Sequence, residues 1–240
     1  MFPYDATLVA AVAEAPQSIP DVVQILEKIG AICADDDGLK WFNWLYLQVT
    51  LAVQTQVNTP GGFTDPAWVA ELDFKFAGFY FAAIQAALTG NAAPGCWQAV
   101  FNVRNQPAVT RIQFALAGMN AHIDHDLPQA VVATCQATGI APQHGTTQYN
   151  DYTAVNATLD AIINTAKQTL NVRLGGDALP DVSRLEDLVA GWGIAAAREL
   201  AWKNAEVLWH IKDVAPVSAT FLDTLDASTA LTSRGLLVPV

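Results

Sequence analysis

Apolar residues recur along this chain with the spacing of an α-helix. In the segment 21–34, Val22, Ile25 and Ile29 share one face, which is the pattern of a helix packed against a core. No alternating run of four or more apolar and polar residues is bounded by hairpin turns, as the strands of a sheet would be. Hydrophobic residues make up 52% of the chain and charged residues 15%, which excludes a disordered protein. The sequence therefore predicts an all-α fold.

The predicted helices are separated by short segments rich in glycine and proline. We expect helices over about 21–34, 39–57, 67–88, 96–103, 151–172, 182–212 and 216–226, and one over 108–125 that restarts or kinks at Asp126-Leu-Pro and continues over 127–138. The helix over 39–57 is apolar almost all round and should lie at the centre. No internal repeat and no long linker divides the chain. We therefore predict a single domain over 1–240, a bundle of about seven or eight helices with irregular ends at 1–20 and 227–240.

Charge and cysteine content limit the partners and the compartment. The net charge is −11, and the 12 basic residues are not clustered, so neither nucleic acid nor an anionic membrane surface is an expected partner. No apolar run reaches the ~18 residues of a membrane span, and no basic region precedes the first short apolar stretch as in a signal peptide. Cys33, Cys96 and Cys135 form no CxxC pair, which indicates reduced thiols. We expect a cytoplasmic protein.

Two ionisable groups share an apolar helix face in the segment TRIQFALAGMNAHIDHDLP. His122 and Asp126 are one turn apart, on the face that carries Ala115 and Met119. A carboxylate at this spacing orients a histidine and raises its basicity, as acid–base catalysis requires. The structural alternative is that Asp126 caps the next helix, since Leu-Pro follows it, and that His122 is an ordinary core histidine. We predict His122 and Asp126 as catalytic residues.

Two further carboxylates fall within aromatic stripes of predicted helices. Asp73 shares a face with Tyr80, and Glu199 shares one with Trp202. Burial among aromatic rings raises the pKa of a carboxyl group and suits it to proton transfer, so Asp73 or Glu199 is a candidate for the complementary catalytic acid. The structural alternatives are a buried hydrogen bond for Asp73 and an i,i+4 salt bridge from Glu199 to Lys203.

Aromatic and amide side chains of the central helices complete the predicted site. A buried asparagine such as Asn43 must find partners, which are either a ligand or a neighbouring helix. The residues predicted to contact substrate are Asn43, Tyr46, Phe76, Tyr80, Met119 and Trp202. Trp44 and Trp209 are further candidates for the wall of the same pocket.

The usual cofactor and catalytic motifs are absent from the sequence. It contains no GxGxxG, GxxxxGK[ST], GxSxG or HExxH, so we expect no cofactor. The run from His122 to Asp126 resembles the HxxxD ligand pair of zinc-dependent phospholipase C. That resemblance implies a cluster of three zinc ions, which uses about five histidines, whereas this chain has four. A single metal held by His122, Asp126 and another carboxylate is the alternative that stays open.

A closer resemblance covers most of the chain. It is carried by DDGLKWFNWLYLQVT, DPAWVAELDFKFAGFY, ALAGMNAHIDHDLPQAVV, DYTAVNATLD and ARELAWKNAEVLW. These blocks resemble, in order, those of a mostly bacterial, all-helical family classed as a domain of unknown function. The central block of that family reads roughly GMNAHINRDLP, and Asp124 and His125 stand here in place of its Asn-Arg. The resemblance implies an all-helical fold with His122 and Asp126 at the centre of the site.

Three functions are consistent with these observations. The leading one is a cofactor-free enzyme that performs cyclisation, isomerisation, dehydration or hydrolysis on a small, largely apolar metabolite in an aromatic-lined pocket. The second is a metal-dependent hydrolase with His122 and Asp126 as ligands. The third is a non-catalytic protein that binds an apolar ligand or a partner helix. The sequence does not indicate the oligomeric state.

Overall fold

A computed structural model describes residues 2–170, 174 and 193–239 of the chain. Its helices are α1 (Asp5–Ala11), α2 (Ile19–Ile32), α3 (Leu39–Val57), α4 (Pro66–Thr89), α5 (Gly95–Val103), α6 (Arg111–Asn120), a π-helical segment (Ala121–Asp126), α7 (Leu127–Thr138), α8 (Thr147–Leu170), α9 (Ile194–Ile211) and α10 (Ala215–Leu236). The buried apolar side chains of α1 to α10 form one continuous core. The predicted all-α, single-domain fold is thereby confirmed. Within the described ranges, no helix combines the length and the apolar character needed to cross a bilayer.

Helix α4 begins and ends at residues that favour helix termini. The Asp65 side chain accepts the backbone N–H of Trp68 at 3.1 Å, and Gly90 ends the helix with a φ of 79°, as caps of these two types do. Asp151 of α8 accepts the backbone N–H groups of Thr64 and Asp65, which immediately precede α4, at 2.9 and 2.6 Å. The start of α4 is therefore tied to α8, and this fixes the position of Asp73 two turns later.

Helix α3 lies at the centre of the bundle, as its apolar sequence predicts. It packs against α2, α4, α6 and α8. Gly118 of α6 lies against the ring of Phe42. A Cβ atom at this position would be only 2.3 Å from the nearest ring atom. Only glycine permits this approach, which brings α3 beside the π-helical segment.

The ends of the chain differ from the prediction. Helix α1 lies within 1–20, and α10 continues to Leu236, so neither end is irregular throughout. The side chains that α10 buries are mostly small or polar, which is why the apolar pattern of the sequence did not extend the helix. The Nδ2 group of Asn120 donates to the backbone oxygen of Thr229 at 3.0 Å and to Oγ of Ser233 at 2.9 Å. The predicted helix over 182–212 is seen from Ile194 onward, and 182–192 lie outside the described residues.

Candidate active site

The helix that carries His122 and Asp126 contains one π-helical turn. Residues 121–126 join α6 to α7 without a break, whereas the sequence predicts a restart or kink at Asp126-Leu-Pro. A π turn holds more residues than an α turn and is frequent at functional sites. Here it turns His125 inward, so that His122, His125 and Asp126 are all buried.

Asp126 is the centre of a hydrogen-bonded group. Its Oδ2 accepts from Nδ1 of His122 and from Nε1 of Trp97, both at 2.9 Å. Its Oδ1 lies 2.7 Å from Nδ1 of His125. The side chain makes no cap hydrogen bond to α7, so the structural alternative for Asp126 was wrong. Burial alone would raise the pKa of Asp126, but the hydrogen bonds from His122 and His125 outweigh it and lower the pKa.

The ionised carboxylate decides the tautomer of both histidines. Because an ionised carboxylate only accepts hydrogen bonds, His122 and His125 each present Nδ1–H to Asp126. For His122, burial outweighs the effect of Asp126 and lowers the pKa. For His125, burial lowers the pKa, but the interactions with Asp126 outweigh it and raise the pKa. His122 is therefore a neutral imidazole whose Nε2 carries a lone pair.

Aromatic rings fix the orientation of His122. Its imidazole stacks on Phe76 with the ring centroids 3.5 Å apart. Tyr46 meets it edge-on with a centroid distance of 4.7 Å, and Trp97 lies at 6.0 Å. The ring is 2% exposed, and within the described part of the chain its Nε2 has no hydrogen-bond partner.

A cavity lies beside this imidazole, between α3, α4, α8, α9 and the π-helical segment. It holds about 80 Å³ of space that the centre of a water molecule can reach, which is room for several ligand atoms or several waters. The described residues of its wall are apolar except Tyr46, Asp73, His122 and Arg198. Phe76 and Met119 are among its apolar lining. An apolar space with few polar groups is the usual form of a small-molecule site.

Three polar atoms on this wall are buried and unpaired. They are Nε2 of His122, the hydroxyl of Tyr46 and Oδ2 of Asp73, each without a hydrogen-bond partner among the residues described. Burial raises the pKa of Asp73 to about 7. Burial also raises the pKa of Tyr46, and the negative charges of Asp73 and Asp126 add to that effect. Unpaired buried polar groups are costly and rare, so three around one cavity indicate groups that pair with a ligand.

Comparison with known proteins agrees with the family resemblance. Residues 19–239 match the model of a family of unknown function, DUF5995. The chain belongs to DUF5995. Neither the curated proteins nor the solved structures include a match to it. The matched range includes every helix that borders the cavity.

Three of the predicted substrate contacts lie away from the cavity of this DUF5995 chain. The Nδ2 group of Asn43 donates to the backbone oxygen of Leu26 at 2.8 Å, which is the helix–helix alternative. Tyr80 packs edge-on against Phe42 with a centroid distance of 4.9 Å, and it does not line the cavity.

Trp202 is the third. Its ring packs against Trp68 and Tyr152, and its Nε1 donates to Glu206 at 3.1 Å. The described residues thus bring Tyr46, Phe76 and Met119 to the cavity, but not Trp202.

Glu199 lies in a different, partly exposed cluster. It accepts from the hydroxyl of Tyr149 at 2.8 Å, lies 3.0 Å from Nε2 of His144, and makes the predicted salt bridge to Lys203 at 3.2 Å. The hydrogen bonds from His144 and Tyr149 lower the pKa of Glu199 to about 2. A carboxylate that is ionised at all ordinary pH values cannot act as the complementary acid, and Asp73 is the carboxyl group that faces the cavity.

One group of side chains in this DUF5995 protein could hold a metal ion. Ligand atoms of Cys96, His125 and Asp226 all lie within 4.8 Å of one another, a set of donors that suits zinc. Asp226 also accepts the backbone N–H groups at the start of α5, at 2.6 and 2.9 Å. Neither His122 nor Asp126 belongs to this group, which was found among the described residues.

Three residues of the site were not predicted from the sequence. Arg198 lies four residues before Trp202, on the buried side of α9, whereas the aromatic stripe of the sequence points to its neighbour Glu199. In a regular α-helix His125 would fall at the margin of the apolar face that carries His122, whereas the π-helical turn buries it. Trp97 lies in a short helix, and its position opposite Asp126 has no signal in the local sequence.

Proposed function

We propose that this protein is an enzyme that performs acid–base chemistry, without an organic cofactor, on a small and largely apolar molecule bound in the cavity. The observation that carries the proposal is the meeting of three unpaired polar groups, those of His122, Asp73 and Tyr46, at one apolar cavity. Buried groups with shifted pKa values in a cavity are typical of catalytic sites.

His122 acts as the general base. Its Nδ1–H is held by Asp126, so a proton that arrives at Nε2 creates an imidazolium beside an ionised carboxylate. Trp97 and His125 hold that carboxylate in place through hydrogen bonds of their own. The pair can therefore accept a proton from a substrate carbon, hydroxyl or water in the cavity.

Asp73 acts as the complementary acid. With a pKa of about 7, it is protonated in a large share of molecules near neutral pH and can deliver a proton. The Tyr46 hydroxyl can donate a hydrogen bond to an oxygen on which charge develops. One proton leaves the substrate for His122 and one arrives from Asp73, so the substrate keeps its proton count. This balance suits isomerisation, cyclisation or dehydration, and hydrolysis follows if the first proton comes from water.

The decisive experiment measures proton transfer directly, so the product of the reaction does not have to be known. The protein is incubated in heavy water with a panel of small apolar metabolites, and mass spectrometry detects molecules that gain deuterium or change mass. We expect His122→Gln to lower the rate about 100-fold or more and Asp73→Asn to lower it as well. His144→Gln changes a histidine outside the cavity and serves as the control, with an unchanged rate.

Two results would contradict the proposal. Equal rates for the wild type and His122→Gln would remove His122 from the mechanism. Metabolites that bind the wild type with no exchange and no turnover would identify a non-catalytic binding protein.

A further inference from the structure

The cavity wall also contains a buried arginine, Arg198 of α9. Arg198 lines the cavity and is 6% exposed. Its Nε donates to Oδ1 of Asn156 and its Nη2 to the backbone oxygen of Tyr152, both at 2.7 Å. The guanidinium also lies 4.1 Å from the centroid of the Tyr152 ring. All of these partners are neutral.

Among the described residues no carboxylate pairs with Arg198, and its hydrogen bonds run through Nε and Nη2 to neutral oxygens. Arg104, also buried among the described residues, provides the contrast. It is paired with Asp37 through Nε at 2.9 Å and through Nη2, and with Asp5 at 3.0 Å. Burial lowers the pKa of Arg198, whereas the carboxylates around Arg104 outweigh burial and raise its pKa.

A buried cation without an anion is unfavourable, and proteins usually pair such a group or place it where a ligand supplies the opposite charge. Among the described residues of the cavity wall, Arg198 is the one that carries a positive charge, because His122 is neutral. A single guanidinium matches one negative charge and binds a carboxylate with two parallel hydrogen bonds. A dianion such as a phosphate monoester would leave one charge uncompensated in a cavity that already contains Asp73.

We infer that the ligand of this cavity is an apolar carboxylic acid, whose carboxylate pairs with Arg198 and whose apolar body lies against the aromatic and aliphatic wall. The inference rests on the proposed function in that it takes the cavity as the substrate site, and it names the substrate class. The carboxylate holds the molecule at α9, while His122 and Asp73, on other helices, act on the apolar body.

The test compares charged and neutral ligands of equal length. Binding of butanoate, octanoate and dodecanoate is measured by calorimetry, beside butanol, octanol and dodecanol. We expect at least one acid to bind the wild type about 10-fold or more tighter than its alcohol. In Arg198→Gln this preference should disappear, while Arg234→Gln, a change at an exposed arginine, should keep it.

Several outcomes would overturn the inference. They are no binding of any acid, equal binding of acid and alcohol by the wild type, and an unchanged preference in Arg198→Gln. The preference is a ratio measured within each variant, so a loss of stability does not imitate the result, and the wild type alone decides the matter if Arg198→Gln does not fold.

The inference and the proposed function can fail separately. His122→Gln should keep the preference for the acid while losing proton exchange. Acid binding without any exchange that depends on His122 would contradict the proposed function alone. Exchange that depends on His122 but occurs only on neutral molecules would contradict the inference alone.

Discussion

The imidazole of His122 lies flat against the ring of Phe76, with centroids 3.5 Å apart and planes tilted by 8°. Nδ1 of the same imidazole is held by Asp126 at 2.9 Å. The stack fixes the plane of the ring and the hydrogen bond fixes its rotation, so Nε2 has one direction. A base that is already oriented loses little entropy in reaching the geometry of proton transfer.

Phe76→Leu should therefore impair proton transfer more than it impairs ligand binding. The substitution keeps an apolar side chain but removes the flat surface on which His122 rests. We expect the exchange rate in heavy water to fall about 10- to 100-fold, with a smaller change in ligand affinity. Phe79→Leu, the same change on the same helix but outside the cavity, is the control. A rate equal to that of the wild type would show that the stack does not orient the base.

Asp126→Asn should remove the charge that stabilises the protonated His122. The amide also offers a donor to one of the imidazoles, which disturbs the tautomer that presents the Nε2 lone pair. We expect the exchange rate to fall about 10³- to 10⁴-fold and nitrogen NMR to show a changed tautomer for His122. Asp124→Asn is the matched control, since burial raises the pKa of Asp124 to about 6 but no hydrogen bond joins it to His122. A retained rate with a changed tautomer would contradict the role given to Asp126.

Much of the fold follows from local patterns that operate within one helix. Asp65 begins α4 because its side chain accepts a backbone N–H of the first turn, and Gly90 ends the helix because glycine readily adopts a positive φ. The pairing of His122 with Asp126 was predictable because residues four apart meet on a helix. The full length of α10 was not, since its buried face is mostly small or polar and depends on contacts with α5 and α6.

The rest of the site depends on contacts between helices. The π-helical turn moves His125 inward, and the α-helical spacing of apolar residues in the sequence does not reveal such a turn. Trp97 reaches Asp126 from α5, which no spacing in the sequence records. Glu199 and Arg198 are neighbours, and a shift of one position along α9 decides which of them faces the cavity and which the surface.

Asp73 should make the protein less stable as pH rises. The folded-state pKa is raised from 3.8 to about 7, so the folded protein holds this proton more tightly than the unfolded chain. The stabilising effect of the proton is complete below about pH 4 and is lost as the pH rises through about 7. A shift of this size corresponds to on the order of 4 kcal/mol.

Asp73→Asn should therefore raise the free energy of unfolding at pH 8 and change it little at pH 4, as measured by urea denaturation. Three ionisable groups of other helices line the cavity together with Asp73. Tyr46 and His122 stay neutral over most of this range, and the guanidinium of Arg198 keeps its charge throughout it. Glu71→Gln, on the partly exposed side of α4, should show no such pH dependence. An equal effect of Asp73→Asn at both pH values would mean that the carboxyl group is not held in its protonated form.

Arg104 and Arg198, both buried, should respond in opposite ways to replacement by methionine. Arg104→Met leaves the carboxylate of Asp37 buried without its cation, and we expect a loss of about 3–5 kcal/mol in the free energy of unfolding. Arg198→Met removes a buried charge that has no carboxylate partner among the described residues, so the ligand-free protein should change by less than about 1 kcal/mol or become more stable. Octanoate, if it is the acid that binds, should raise the melting temperature of the wild type and of Arg104→Met but not that of Arg198→Met. An equally large loss of stability in both variants would assign Arg198 a structural role, because its hydrogen bonds to α8 would then account for its burial without a ligand.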